Sequence, residues 1–168
     1  MIIILSLLAV GFQYYNDSQE PPEALTCNLT GKVIRVTDGD SITVLDVEKA
    51  QYKIRLAGID APERKQPYGK VARQFLAKQV FKKQVCVSWY KRDKYKRLVG
   101  VVSIDGEDMN LKLLSTGLGW HYKQYQSEQS ASDRVRYSEA QESAEDDNVG
   151  LWRDRNPIPP WLWRRGER

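Results

Sequence analysis

The sequence predicts an α+β protein in which five short strands close into a small barrel and three helices pack beside it. Segments rich in β-branched residues alternate with Gly, Asp and Pro turn signals. Helical periodicity appears once between the strands and again after them. The 168 residues are 41% hydrophobic and 29% charged, which fits one domain and argues against disordered, collagen-like or coiled-coil chains.

The five predicted strands are bounded by turn residues, of which Asp38-Gly39 and Asp105-Gly106 are the clearest. The strands are Lys32–Thr37, Ser41–Leu45, Tyr52–Ile59, Val85–Tyr90 and Leu98–Ile104. Along the chain they form a hairpin, a third strand and, after a helix, two more strands. This order fits a closed barrel of the oligonucleotide-binding type, a fold that does not by itself imply catalysis.

Three helices are predicted from apolar residues that recur every three or four positions. The first, Lys70–Lys82, has one apolar face that packs on the sheet. The second, Met109–Thr116, ends at Gly117, which can adopt the left-handed conformation of a helix C-terminus. The third, Ser130–Asp147, begins with cap-like residues and has little apolar face, so we expect it on the surface.

The two ends of the chain differ in composition from the predicted barrel. Residues 1–11 are apolar and shorter than a bilayer span, which favours a signal peptide, with an uncleaved anchor as the alternative. Residues 12–29 form a polar arm, 30–152 the domain, and 153–168 a tail rich in Pro, Trp and Arg. We expect the prolines to exclude a helix from the tail and its tryptophans to pack back on the domain. A nucleic-acid or partner surface is the alternative for the tail.

The chain contains two cysteines, Cys27 and Cys86. In an exported protein this even count favours one disulfide, which would fasten the N-terminal arm to the barrel. Two buried free thiols remain the alternative if the protein is not exported. The apolar N-terminus and the cysteines together predict a periplasmic or secreted protein.

Positive charge is concentrated in one part of the chain. Residues 31–97 hold 17 Lys/Arg and 7 Asp/Glu, a net charge of +10, whereas residues 98–168 hold 9 and 12, a net charge of −3. The basic part also contains two acidic turns, and this combination favours a polyanion held against a cation site. A solvated Lys-rich surface is the alternative that charge alone would favour.

The acidic turns follow apolar strands and carry the candidate chemistry. Asp40 and Asp60 are hard oxygen ligands suited to Ca²⁺ or Mg²⁺, and Glu63 lies just beyond, free to accept a proton from water. Arg55 and Arg97 carry forked guanidinium groups that match phosphate oxygens. These five residues predict a metal-dependent site that cleaves phosphodiesters.

Each of these residues also has an ordinary structural explanation. Asp40 is compatible with simple turn chemistry, and Arg55 with a surface ion pair to Glu48 or Glu63. Other catalytic classes have less support. The single histidine, His121, excludes two-histidine nuclease chemistry and is more typical of a satisfied core or surface residue. The sequence has no zinc-type Cys/His cluster, phosphate-binding Gly-rich loop or nucleophile elbow.

Four motifs resemble those of the staphylococcal nuclease family, in particular its Gram-negative and plasmid-encoded branch, and the similarity covers roughly residues 31–152. The motifs are Val36-Thr37-Asp38-Gly39-Asp40-Ser41, Ile54-Arg55-Leu56-Ala57-Gly58-Ile59-Asp60-Ala61-Pro62-Glu63, Asp93-Lys94-Tyr95-Lys96-Arg97 and Ser138-Glu139-Ala140-Gln141. The resemblance implies a five-stranded oligonucleotide-binding barrel with three helices. It also implies Ca²⁺-dependent endonucleolytic cleavage of DNA and RNA that leaves 3′-phosphates.

The resemblance further implies a role for each matching residue. Asp40 and Asp60 would bind Ca²⁺ together with the backbone carbonyl of Ala61, which stands where the type enzyme has threonine. Glu63 would be the general base, and Arg55 and Arg97 would bind the scissile phosphate. The residues implied to contact the substrate are Tyr95, Lys94 and, through a region of weaker similarity, Tyr125.

Two other functions remain compatible with the sequence. One is a catalytically silent barrel that binds nucleic acid or protein. It would be expected to lack some of the five charged residues, and here all five are present. The other is a membrane-tethered structural or plasmid-maintenance component, which depends on residues 1–11 remaining uncleaved. We expect single- and double-stranded DNA and RNA as partners, with no stable protein partner.

Overall fold

A computed structural model describes residues 26–167, and within them the predicted fold class is confirmed. The strands are β1 (Leu29–Val36), β2 (Ser41–Leu45), β3 (Gln51–Leu56), β4 (Ile59–Asp60), β5 (Gln84–Arg92), β6 (Leu98–Ile104), β7 (Glu107–Asp108) and β8 (Trp120–His121). The main sheet has the order β3-β2-β1-β5-β6-β7. A parallel pairing of β3 with β6 joins the ends of the five long strands, so the sheet closes into a barrel.

The strand register fixes which side chains meet on the barrel rim. In the antiparallel β2–β3 pair, Ser41 lies opposite Arg55. In the parallel β3–β6 pair, Ile54 lies opposite Leu98. The residue that follows Asp40 is therefore beside Arg55, and the chain that enters β6 from Arg97 arrives at the same part of the rim.

The prediction of one continuous strand from Tyr52 to Ile59 is wrong. The chain leaves the barrel at Ala57-Gly58, where Gly58 has a φ of +70°, a conformation that L side chains rarely adopt. The next two residues form β4, which pairs with β8 in a separate small sheet. This break turns Asp60 away from the barrel strand and toward the rim.

The described part of the chain has four helices beside the barrel: α1 (Gly69–Val80), α2 (Met109–Ser115), α3 (Ala131–Asp146) and the single turn α4 (Pro160–Trp163). Two 3₁₀ segments, Lys123–Glu128 and Gly150–Arg153, connect the later elements. The core is formed by strand side chains such as Val33, Ile42 and Ile54 with Leu76 of α1 and Leu113 of α2. These side chains are almost fully buried, so the barrel and its helices share one apolar interior.

The three longer helices lie where the sequence predicts them, with small differences at their ends. Helix α1 ends at Val80 because Phe81 is extended and Lys82 has a positive φ. Gly117 has a φ of +65°, as expected for the residue that ends α2. Ser130 caps α3 by accepting the Asp133 N–H at 3.1 Å. Helix α3 is more embedded than predicted, because its Tyr137 is only 1% exposed.

The expectation that prolines exclude a helix from the tail is wrong for residues 160–163. Pro160 is the first residue of α4, a position where the missing N–H needs no partner within the helix. Trp161 of the tail does pack back on the domain, since its ring contacts those of Trp120 and Tyr122. The tail is therefore a folded part of the domain surface.

The predicted disulfide is confirmed, and the alternative of two free thiols is not supported. Cys27 and Cys86 are bonded with a Cα–Cα distance of 5.5 Å, which ties the residues before β1 to strand β5. Within the described residues, no helix has the length and apolar character needed to span a membrane. The predicted signal peptide or anchor, residues 1–11, and residues 12–25 of the predicted arm lie outside the described residues.

A buried hydrogen bond joins α3 to the start of α2. The Tyr137 hydroxyl donates to Asp108 Oδ2 at 2.8 Å, while Asp108 Oδ1 accepts the N–H groups of Asn110 and Leu111 as the cap of α2. Burial raises the pKa of Asp108, with its hydrogen-bond donors opposing that rise. Loss of the Tyr137 donor would leave a buried oxygen without its partner.

We therefore expect Tyr137→Phe to lower the free energy of unfolding by about 1–3 kcal/mol, measured by urea denaturation. Tyr95→Phe is the matched control, because that side chain is 66% exposed and its hydroxyl loss should change stability by less than about 0.5 kcal/mol. Equal stabilities of the two variants would show that the Tyr137–Asp108 bond is not stabilising.

Candidate active site

Asp40 is a buried carboxylate, 7% exposed, in the turn immediately before β2. Its Oδ1 accepts the Ser41 hydroxyl at 3.0 Å. Its Oδ2 accepts the Ala61 N–H at 2.9 Å and pairs with Arg55 Nη1 at 3.0 Å. These donors hold the carboxylate in one orientation and link the β2 turn directly to the chain that follows β4.

Asp60 is the second buried carboxylate and is only 1% exposed. Strand β4 places it opposite Trp120 of β8. Its Oδ1 accepts Arg55 Nη2 at 2.9 Å, so the guanidinium of Arg55 joins Asp60 to Asp40. The alternative pairing of Arg55 with Glu48 or Glu63 is not found in the described residues, where Arg55 pairs with the two aspartates instead.

Carboxylates gathered in this way influence each other's protonation. Burial raises the pKa of Asp60, although the hydrogen bond from Arg164 and the charge of Arg55 oppose that rise. Burial, followed by the charge of Asp40, raises the pKa of Asp38 to about 6. The pocket thus penalises excess negative charge, and positive charge near Asp60 is favourable.

A close approach at Gly39 keeps the acidic turn in place. A Cβ atom on Gly39 would lie 2.7 Å from the Cβ of Ala61 and 2.8 Å from that of Ala72 in α1. Any larger residue would push the turn away from α1 and from the chain after β4. The glycine in the motif is therefore needed for packing, in addition to its role in the turn.

Glu63 lies at the open edge of the cluster, beyond buried Pro62. Its backbone N–H donates to the side-chain oxygen of Gln66 at 3.0 Å. Its carboxylate is 39% exposed and pairs with Arg164 Nη1 at 2.8 Å. Glu63 therefore has access to solvent while its backbone position is fixed.

Arg97 reaches the cluster from the turn between β5 and β6. Its Nε donates to Asp93 Oδ2 at 2.7 Å, and its Nη1 lies 3.3 Å from the Ser41 hydroxyl. Asp93 Oδ1 also accepts the N–H groups of Tyr95 and Arg97, which orders this turn. Arg97 is thus connected to Asp40 through the single side chain of Ser41.

The three predicted substrate contacts lie on exposed surface around the cluster. Tyr95 is in the turn that carries Arg97, whose guanidinium carbon lies 5.5 Å from the Tyr95 ring centroid. Lys94 Nζ lies 5.2 Å from the same ring centroid. Tyr125 is further along the surface, where its ring contacts the edge of Tyr122. The structure brings Tyr95 and Lys94 beside Arg97, whereas Tyr125 belongs to a separate aromatic group.

Two residues that the sequence analysis missed complete the cluster. Arg164 pairs with Asp60 Oδ2 at 2.8 Å and with Glu63. The side-chain amide of buried Gln66 donates to the Ile158 carbonyl, which joins the loop after Glu63 to the tail. Arg164 is more than 100 residues away from both of its partners in the chain, so no local pattern indicates these contacts.

His121 is buried beside the cluster without contributing its side chain to it. Its Nε2 bonds with the Gln129 side chain at 2.8 Å, and its backbone N–H donates to Gln141. Burial lowers the pKa of His121, so the neutral imidazole is favoured. This placement agrees with the prediction of a structural role for His121, but its hydrogen bonding is incomplete, because the buried Nδ1 has no partner among the described residues.

The oxygen donors of the cluster fit a hard divalent cation with few protein ligands. Asp40 and Asp60 provide carboxylates, and Ala61 adds a backbone carbonyl directly after Asp60. No group of three or more His, Cys, Asp or Glu side chains in residues 26–167 has the arrangement of a metal site. A cation bound here would take its other ligands from water, which suits Ca²⁺ or Mg²⁺ better than Zn²⁺.

A basic groove of about 420 Å³ lies beside the cluster. It is lined by Arg35, Arg64 and Arg73, together with the partly exposed ring of Phe81. Arg64 follows Glu63 directly in the chain, so the groove begins next to the cluster. Its lining contains no acidic residue, and this surface is therefore suited to an extended polyanion.

Comparison with known proteins gives a consistent result. A family model described as staphylococcal nuclease homologue matches residues 53–154. A Haemophilus influenzae protein named uncharacterized endonuclease is 38% identical over 139 residues, which cover 83% of this chain and 75% of that protein. An Escherichia coli O157:H7 protein with the same name is 40% identical over 141 residues, which cover 83% of this chain and 88% of that protein. The micrococcal nuclease of Shigella flexneri is 36% identical over 147 residues, or 82% of both chains.

Replacing Arg55 should destabilise the fold, because its guanidinium forms ion pairs with two buried carboxylates. We expect Arg55→Met to lower the free energy of unfolding at pH 7 by about 3 kcal/mol in urea denaturation. Arg136→Met is the matched control, because Arg136 pairs with Asp133 on the half-exposed surface of α3 and should cost less than about 1 kcal/mol. Similar losses in both variants would contradict a special role for the Arg55 pairs.

Proposed function

The chain belongs to the staphylococcal nuclease family, and we propose that this phosphodiester hydrolase is a Ca²⁺-dependent endonuclease. The nuclease would cut DNA and RNA and leave 3′-phosphate ends. The observation that carries the proposal is the joining of Asp40 and Asp60 by Arg55, with Glu63 at the open edge. This arrangement combines cation ligands, a proton acceptor and a phosphate-binding group in one place.

Asp40, Asp60 and the carbonyl of Ala61 would hold the cation in this proposal. When bound, Ca²⁺ would supply positive charge to the phosphate oxygens and a water molecule with a lowered pKa. The chain itself prepares this site by holding both carboxylates in fixed orientations. Ser41, Arg55 and the Ala61 N–H provide that support for Asp40.

Glu63 is the proposed general base. It is a carboxylate on the solvent side of the cluster, so water can reach it, and its backbone is fixed by Gln66. Glu63 would take the proton from the attacking water as the new bond to phosphorus forms. A positioned general base of this kind contributes about 10²–10⁴-fold to a rate.

Arg55 and Arg97 are proposed to bind the scissile phosphate. Arg55 lies between the two aspartates, and Arg97 approaches from the opposite turn through Ser41. A guanidinium group is a planar fork that can donate two parallel hydrogen bonds to phosphate oxygens. Arg55 and Arg97 would stabilise the negative charge that builds up on those oxygens in the transition state.

The surroundings of the cluster support a nucleic-acid strand as substrate. Tyr95 and Lys94 beside Arg97 would contact a phosphate, and exposed Tyr125 would offer a ring for stacking. The basic groove of Arg35, Arg64 and Arg73 would follow the backbone away from the site. Neither contact reads base identity, which is consistent with a proposal that includes single- and double-stranded DNA and RNA.

We further propose that the protein acts in the periplasm or outside the cell, with no stable protein partner. The Cys27–Cys86 disulfide supports this location, since such bonds persist in oxidising compartments. A membrane association would require residues 1–11 to stay uncleaved. The catalytically silent alternative has no support from the site, because none of the five charged residues is replaced.

Removal of the base should reduce turnover strongly. We expect Glu63→Gln to lower kcat on single-stranded DNA by about 10²–10⁴-fold in the presence of Ca²⁺. Glu48→Gln is the matched control, because Glu48 is exposed in the β2–β3 connection and should retain wild-type activity. Equal kcat values for Glu63→Gln and the wild type would rule out Glu63 as the base.

Chelation of Ca²⁺ with EGTA should stop cleavage, and adding Ca²⁺ back should restore it, because the cation contributes charge that the two aspartates cannot supply. The products of an end-labelled oligonucleotide should not be extended by a polymerase until a 3′-phosphatase has acted. Products that are extended without phosphatase treatment would refute the proposed 3′-phosphate ends. Full cleavage in EGTA would refute the metal dependence.

A further inference from the structure

The C-terminal segment, defined here as residues 154–165, folds back against the acidic cluster. Gln66 fixes its first part by donating to the Ile158 carbonyl. The ring of Trp161 stacks on Tyr122, with centroids 5.3 Å apart and an interplanar angle of 10°, and contacts the edge of Trp120 at 5.7 Å. Because Trp120 lies opposite Asp60 in the β4–β8 pair, this anchor is next to the cluster.

The single turn α4 places the Arg164 side chain beside the carboxylates of the cluster. Trp161 and Arg164 are three positions apart, and residues at this spacing lie on the same face of a helical turn. The Arg164 N–H also bonds to the Pro160 carbonyl at 3.0 Å, which continues the helical turn to this residue. Docking of the Trp161 ring therefore brings the Arg164 side chain over the open side of the carboxylates.

Both terminal nitrogens of Arg164 contact carboxylates, and these carboxylates belong to two different residues. Its Nη2 lies 2.8 Å from Asp60 Oδ2, and its Nη1 lies 2.8 Å from Glu63 Oε1 and 3.3 Å from Asp60 Oδ1. Asp60 itself is almost fully buried, whereas the Arg164 side chain is 43% exposed. The Arg164 guanidinium thus contacts both oxygens of Asp60 from the partly exposed side of the cluster, whereas Arg55 contacts only Oδ1.

Arg164 contacts the same ligand atoms that a cation at Asp60 would need. Its Nη2 lies 2.8 Å from Asp60 Oδ2, and its Nη1 lies 3.3 Å from Asp60 Oδ1, which also accepts Arg55. A cation that binds a carboxylate oxygen directly, as Ca²⁺ does at about 2.3–2.6 Å, would need an oxygen that Arg164 contacts. The positive charges of the cation and the guanidinium would also repel each other at this distance, so binding of one disfavours the other.

We propose that Arg164 competes with the divalent cation for Asp60, so that the C-terminal segment sets the affinity of the site for its metal. This inference rests on the metal site of the proposed function. Withdrawal of Arg164 would also release Glu63 from its ion pair. Replacement of Arg164 by the cation would therefore complete the cation site and free the general base in one step.

The test is a calorimetric titration of the full-length protein with CaCl₂ in the absence of nucleic acid. Arg164→Gln should tighten Ca²⁺ binding about tenfold, because the competing group is gone. Arg165→Gln is the matched control: it removes the same charge from the next residue, and screening should limit its effect to about twofold. Arg164→Lys keeps the positive charge but loses the forked guanidinium group. It should also tighten Ca²⁺ binding relative to the wild type, so it provides a second test if Arg164→Gln does not fold.

Unchanged or weaker Ca²⁺ binding by Arg164→Gln would overturn the competition. If that variant still cuts DNA only with Ca²⁺, the proposed function stands while this inference fails. Absence of Ca²⁺ binding in both the wild type and the variant would overturn the competition together with the metal site. Equally tightened Ca²⁺ binding in Arg164→Gln and Arg165→Gln would also overturn the competition. The effect would then come from the loss of any nearby positive charge and not from the contact with Asp60.

Discussion

The ion pairs that Arg55 makes with Asp40 and Asp60 are the interaction on which the rest of the site depends. Two carboxylates buried this deeply would repel each other and lose hydration unless a cation lay between them. A guanidinium can bind both because its terminal nitrogens are separate donors in one plane. The barrel supplies the geometry: the β2–β3 register sets Ser41 opposite Arg55, and the break at Gly58 turns Asp60 inward.

The charged groups around this cluster differ in how firmly they are held. Arg55 and Asp60 belong to strands with paired backbones, and the Asp40 carbonyl accepts the Leu56 N–H at 2.9 Å, so the barrel fixes the backbone at all three positions. Arg97 and Arg164 come from a turn and from the C-terminal segment, and both side chains are partly exposed. Partly exposed arginines beside buried carboxylates can change partners at a lower cost than a fully buried ion pair, because water can replace the lost contact.

The sequence predicts most of the fold because its signals are local: β-branched segments, turn pairs, helical spacing and the Ser130 cap. The same holds for Asp40, Arg55 and Asp60, which lie within short motifs. Two expectations fail where local rules are incomplete. The strand-like pattern of residues 52–59 continues on both sides of Gly58 and hides the break there. The rule against proline in helices does not apply to a first residue such as Pro160. Arg164 reaches its partners through tertiary packing of the Trp161 ring, which no spacing rule reveals.

The disulfide has a topological consequence for the whole site. The covalent ring closed by Cys27 and Cys86 spans 59 residues and contains Asp40, Arg55, Asp60 and Glu63, whereas Arg97 and Arg164 lie outside it. A loop of this size lowers the entropy of the unfolded chain by an amount worth roughly 4 kcal/mol. A single proteolytic cut inside the ring would leave the two fragments joined, with every acidic residue of the cluster still attached to the barrel. The part of the chain that holds the acidic cluster thus has its own protection against separation by peptide-bond cleavage.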